Sequence, residues 1–205
     1  MDKVLLARKI AVYSLYVLFI ASIQVSFPQY MSFRGQTGDL MFVFVVLVSY
    51  LFGFGDGAVV AVFMGLLRDF FAGPSITGIA GEASTTVGIG IFVLFMASVL
   101  GSSFFTRKMH RNISFAFLAV LAATLVYKVT GHLIIGIWTN LFASRPYTMD
   151  VSSIILDSIL PQILLNMIVA VPCILILRFA GPYKKGINPA LIDDKRNEKS
   201  SWLTI

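Results

Sequence analysis

The stretch Gly57-Ala-Val-Val-Ala-Val-Phe-Met-Gly-Leu-Leu-Arg-Asp-Phe-Phe-Ala-Gly-Pro-Ser-Ile-Thr-Gly78 decides how this chain is read. Gly57, Ala61 and Gly65 recur every four residues, so on a helix they form a stripe of small side chains down one face. Asp69 lies one further step along that stripe, and Gly73, Pro74 and Gly78 then break the chain into a turn. In lipid such a stripe lets a second backbone approach closely, because helix association there rests on packing rather than on hydrophobic burial. An acidic residue at its end is costly unless it finds a partner. The stretch is read as a packed interior helix with a polar duty at one end. Its stripe, together with Asp69, Gly73 and Gly78, is a candidate contact for a neighbouring helix or a partner protein.

The rest of the chain has the same character. Of its 205 residues 58% are hydrophobic and 13% charged, against about 25% charged in an ordinary soluble domain. Mean hydropathy is +0.87. The apolar runs reach or approach about 20 residues, enough to cross about 30 Å of hydrocarbon. Six spans are expected, at about 10–27, 39–54, 57–71, 84–105, 113–138 and 158–179. The fold class is therefore an all-α membrane protein, a bundle of six transmembrane helices. It forms one domain over residues 1–183, followed by a polar cytoplasmic tail over 184–205. A β-barrel would show short alternating segments, and the chain has none. The first apolar run follows Lys3, Arg8 and Lys9 and ends in Gln24, Phe27 and Pro28 without a small-x-small site, so it reads as a retained helix. Cys173 is the one cysteine, which rules out an intramolecular disulfide and leaves the redox compartment unread.

Orientation follows from lysine and arginine. With the N-terminus inside, the inner side holds Lys3, Arg8 and Lys9, then Arg107, Lys108 and Arg111, then Arg178 and the basic residues of the tail. The outer side holds Arg34 and Arg145. Both termini are expected in the cytoplasm, and the net charge of +6 is an orientation signal, not a nucleic-acid footprint. Contact with anionic lipid is a second use open to the same residues. In this topology Asp69, Glu82, Lys128, His132 and Asp157 all fall in the outer half of the bundle or at its rim. No comparable ionisable set is expected in the inner half.

The polar residues within spans are the candidate sites. Lys128 and His132 share a helix face, and Asp157 near the start of the sixth span is the expected partner of Lys128. Such a pair is a structural tie, a ligand or partner contact, or part of an ion path; a path usually needs several carboxylates in series. Gln162 and Asn166 share a face of the last span and can hydrogen-bond across helices, while Pro161 and Pro172 imply kinks. Arg68 is expected to snorkel to the outer interface. Asp69 either caps the Gly73–Gly78 turn or faces a partner. The aromatic second span, with Phe42, Phe44, Tyr50, Phe52 and Phe54, is expected to face lipid. A metal site wants about three ligands of the His, Cys, Asp or Glu kind, and one intramembrane histidine with scattered carboxylates does not supply them. The chain has no G-x-S-x-G, no H-E-x-x-H and no phosphate-binding glycine loop, so neither catalysis nor a cofactor is expected.

Gly65, Leu66, Leu67, Asp69, Gly73 and Gly78 resemble the most recognisable block of the rod shape-determining MreD family: a glycine-spaced helix, then G-(L/F/A)-(L/I)-x-D, then a glycine turn. The chain length, the six-span layout, the basic loop at Arg107–Arg111 and the proline- and asparagine-bearing last helix are similar too. The family's proline before the second helix is replaced here by Gly38, ahead of Asp39 and Leu40, and the role of Asp39 stays open. The resemblance implies a non-enzymatic inner-membrane component of the bacterial cell-elongation machinery. Its partners would be MreC, the actin-like MreB, a RodA-type glycosyltransferase and a class B penicillin-binding protein. It also implies a fold similar to the substrate-binding components of ECF vitamin transporters, and substrate capture for such a transporter is the alternative function. An enclosed outer pocket of several hundred Å³ would mark the transporter, and a filled interior the scaffold.

Overall fold

Helix α2 (Leu40–Phe52) is buried over all thirteen of its residues, and helices from every other part of the chain pack round it. The computed structural model describes residues 3–72, 75–76, 83–84, 88–103, 113–142 and 150–183. Gly73, Gly78, Glu82, the Arg107–Arg111 loop and the 184–205 tail lie outside the described residues.

Around α2 stand α1 (Lys3–Tyr30), α3 (Phe54–Ala72), α4 (Ile89–Ser103) and α5 (Ile113–Phe142). The last segment is a short α6 (Val151–Ser153), a π-helical stretch Ile154–Ile159 and α7 (Leu160–Ala180). Three of these segments, Lys3–Ser26, Ser114–Ile137 and Val151–Ala180, are long and apolar enough to cross a membrane, while α2 and α4 are shorter apolar helices. Large apolar side chains cover the outside of the bundle, among them Leu15, Phe63, Phe92, Ile134 and Phe179. That surface suits lipid, since water-exposed apolar patches on soluble monomers are small.

The second span is the main correction to the sequence reading. Phe42, Phe44, Tyr50 and Phe52 do not face lipid; each is at most 2% exposed, and Phe54, the first residue of α3, is the one exposed member of the set. The reason is length as well as composition. Thirteen residues rise only about 20 Å, against about 30 Å of hydrocarbon, so longer neighbours can enclose the helix along its whole length. A helix apolar all round is at home inside a bundle.

The turn from α2 into α3 is a single residue. Gly53 adopts φ 96°, a conformation glycine reaches freely, and its N–H donates to Ser49 O at 3.0 Å. Helix α3 therefore begins at Phe54, ahead of the third span expected at 57–71.

Small residues set the contact between α2, α3 and α4. A Cβ on Gly57 would overlap the side chain of Ser49 on α2. Ala61 is fully buried. On Gly65 a Cβ would overlap the Ile91 backbone, lying 2.7 Å from its nitrogen. On α4, a Cβ on Gly101 would sit 2.7 Å from Val46 O. Ser49 and Ser98 seal the seam with a hydroxyl–hydroxyl bond of 3.0 Å. The stripe is thus occupied by this chain's own helices, and not open to a partner.

Two short hairpins lie outside the all-α expectation. Strands β1 (Ser32–Phe33) and β2 (Gln36–Thr37) pair antiparallel about Arg34 and Gly35, whose φ values of 50° and 74° match the turn that suits a two-residue hairpin. Strands β3 (Ser75–Ile76) and β4 (Ala83–Ser84) pair likewise between α3 and α4. The π-helical stretch has a chemical cause. Pro161 lacks an N–H and its ring crowds the carbonyl four residues back. The Leu160 N–H accordingly reaches Ile155 O, five residues back. Leu156 O is left without its helical donor, and Arg34 Nη1 supplies one at 3.1 Å.

Gly65→Ala is expected to lower stability by about 1–3 kcal/mol, because backbone, not a flexible side chain, stands in the way. Gly131→Ala, where nothing lies within 4 Å, is expected to be neutral or stabilising. Thermal unfolding of the two variants in one detergent checks this, and equal effects would reject the seam's role.

Candidate functional site

The polar residues gather at two ends of the bundle. One end carries the start of α1 and the end of α7; the other carries the β1–β2 hairpin, the starts of α2 and α4, and the end of α3.

At the hairpin end the organising feature is the start of α2. A helix start leaves backbone N–H groups without intrahelical partners, and burial makes that expensive. Three side chains answer. The Asp39 N–H donates to Asn166 Oδ1 at 2.9 Å, the Leu40 N–H to Gln24 Oε1 at 2.7 Å, and the Phe42 N–H to Asp39 Oδ1 at 3.0 Å. The other Asp39 oxygen takes Arg68 Nη1 at 2.8 Å. Arg68 therefore turns into the bundle and does not snorkel, and it lies against Tyr127 on α5. Asn166 holds Gln162 Nε2 at 3.0 Å and donates to Thr124 Oγ1 at 3.1 Å, and Gln162 also donates to Thr37 O at 2.8 Å. The expected Gln162–Asn166 face thus serves as the joint between α7, α5, α2 and the hairpin.

Lys128 and Asp157 are not partners. Lys128 Nζ donates to Gln36 Oε1 at 2.7 Å, while Asp157 meets Arg34 at 3.2 Å with both side chains more than half exposed. The π-helical stretch explains the failed pairing, since it changes which residues of that segment face α5. His132, one turn beyond Lys128, instead finds Ser158 Oγ at 2.9 Å.

Asp69 reaches across the chain. Its two oxygens accept from Gly88 N at 2.8 Å and Gly90 N at 2.7 Å, at the start of α4. A carboxylate there satisfies orphan donors and complements the helix dipole. Among the described residues Asp69 makes a cap, at the start of α4; Gly73 and Gly78 of the expected turn lie outside the described residues. Gly88 at φ 102° and Gly90, whose Cβ would lie 2.5 Å from Asp69 Oδ1, permit the approach.

The opposite end carries an ionisable cluster that the sequence reading did not single out, with Lys9 and Asp56 just outside the expected spans 10–27 and 57–71. Asp56, 6% exposed, pairs with Lys9 and accepts from Tyr13 Oη at 2.8 Å and Tyr183 Oη at 2.6 Å. Tyr16 Oη donates to Ala180 O at 2.7 Å and Arg8 to Gly181 O at 3.3 Å. These bonds tie the start of α1 to the start of α3 and the end of α7. Burial, and then the bond to Asp56, raise the Tyr183 phenol above its ordinary value of 10.0. A group raised in the folded state keeps its contribution below the unfolded pKa, so this tie holds through neutral pH and weakens only as pH climbs past about 10. In the sequence Asp56 is one acid among Gly53, Gly55 and Gly57, between the expected second and third spans.

Beside Asp39 the hairpin end encloses a half-open polar cavity of about 230 Å³, walled by Gln36, Asp39, Arg68, Tyr127, Lys128 and Gln162 among others. Two apolar grooves flank α1: one of about 280 Å³ against α7 and one of about 360 Å³ against α3. No protein-family model matches this chain, and no curated protein or solved structure matches it significantly.

Removing Asp39 and Arg68 singly and together is expected to give a coupling of about 0.5–3 kcal/mol. Lys128→Ala and Asp157→Ala are expected to add, because the two side chains have separate partners. A double-mutant cycle on thermal stability reads both.

Proposed function

We propose that this chain is a non-enzymatic integral membrane scaffold of the bacterial cell-elongation machinery, with both termini cytoplasmic. The observation that supports this reading best is the filled interior. Helix α2, buried over all thirteen of its residues, occupies the middle of the bundle, where substrate capture would need an open chamber. The polar cavity, about 230 Å³ with one aromatic wall residue, is smaller and more polar than usual small-molecule pockets of about 300–1,000 Å³. The resemblance of Gly65, Leu66, Leu67 and Asp69 to the MreD block supplies the assembly: MreC as the direct partner, with MreB, a RodA-type glycosyltransferase and a class B penicillin-binding protein. Because the Gly57–Gly65 stripe is used inside the chain, docking falls to the outward helix faces. Six transmembrane helices, with a fold similar to ECF substrate-binding components, belong to this reading.

Orientation is tested with single cysteines, since Cys173 is buried. A cysteine replacing exposed Ser32 is expected to react with an impermeant maleimide on whole cells, and one replacing exposed Val4 only after lysis. The reverse pattern would overturn the topology. For the function, depletion is expected to round rod-shaped cells, and MreC is expected to co-purify. Unchanged shape together with a retained vitamin would favour substrate capture for an ECF-type transporter.

A further inference from the structure

We propose that the polar cavity at the hairpin end is a binding site for a single carboxylate, received by Lys128. Three charged side chains line the cavity: Asp39, Arg68 and Lys128. Arg68 and Asp39 neutralise one another at 2.8 Å. Lys128 forms no ion pair with any carboxylate among the described residues, and its partner is the neutral amide oxygen of Gln36 at 2.7 Å. Among the described residues that line it, the cavity therefore carries one unit of positive charge in excess.

Charged side chains inside membrane helices are costly and usually pair or face a cavity. Lys128 lies past the middle of the apolar segment Ser114–Ile137, half-buried. Its ammonium has three N–H donors, and Gln36 takes one. A monoanion with two acceptor oxygens uses the others and cancels the excess charge; a dianionic phosphate would leave one negative charge over. The volume of about 230 Å³ admits a small carboxylate ion or the tip of an acidic side chain. The polar walls, three glutamine amides among them, disfavour an apolar ligand. The same chemistry serves a free carboxylate and one borne on a polypeptide. It holds under either the scaffold or the transporter reading.

The test uses the full chain in phosphatidylcholine nanodiscs. Thermal unfolding is followed with sodium acetate, with sodium glutamate and with the peptide Gly-Glu-Gly blocked at both ends, each against sodium chloride at equal ionic strength. The expected result is a saturable rise in Tm, about 5–10 °C at a hundredfold excess over half-saturation, lost in Lys128→Met. Gln36→Glu places a carboxylate opposite Lys128 within the chain. It is expected to raise Tm without any addition and to abolish the response. A rise with acetate or glutamate identifies a free small carboxylate as sufficient; a rise with the peptide alone identifies a polypeptide-borne one. The proposal is overturned by the absence of a saturable rise with every probe, by an unchanged response in Lys128→Met, or by a Gln36→Glu chain that is less stable or still responds.

Discussion

The buried start of α2 is the constraint on which the rest of the structure depends. A thirteen-residue helix with no exposed side chain cannot offer its first N–H groups to water, so other parts of the chain must supply the acceptors. Gln24 comes from α1, Asn166 from α7, and Asp39 from the helix's own N-cap position. Each acceptor is held in turn. Arg68 of α3 fixes Asp39, and Thr124 of α5 with Gln162 of α7 fixes Asn166. Satisfying one helix start thus brings four other helices to a common point, and the polar cavity is the space left between them.

The two ends of α3 are managed by carboxylates of opposite duty. Asp56 at its start is buried and pinned by Lys9, Tyr13 and Tyr183, which closes the end where the chain begins and where α7 finishes. Asp69 near its end accepts from the first amides of α4. Between them the small-residue face lets α3 lie against the backbones of α2 and α4. Hydrocarbon rewards apolar burial very little, so close packing and hydrogen bonds of this kind hold membrane helices together. Both acids work inside the chain, which moves any partner contact to the outer faces of the helices.

Much of this was legible in the residues. The helical runs, the membrane class, the small-residue face from Gly57 to Gly65 and the polar face of Gln162 and Asn166 all follow from composition and spacing. The role of Asp39 stayed open in the sequence, and the structure makes it the N-cap of α2. Partner choice was not legible. Lys128 and Asp157 looked complementary because both lie near one end of adjacent helices, yet Pro161 widens the helix into a π turn and Asp157 goes to Arg34. Arg68 looked free to reach water because no sequence rule places Asp39, 29 residues earlier, beside it.

The sequence by itself determined the helical membrane class, since few charges and long apolar runs leave no soluble alternative, and it determined which positions are small enough for close contact. Only the tertiary structure decided which apolar helix is enclosed. Lipid tails and neighbouring side chains are equally apolar, so an apolar helix is at home against either, and it took the packing to bury α2 wholly while α1 leaves Leu15 and Phe19 exposed. The structure also decided where each polar group is satisfied, because hydrogen bonds act over about 3 Å between residues that the chain separates by as many as 173 positions.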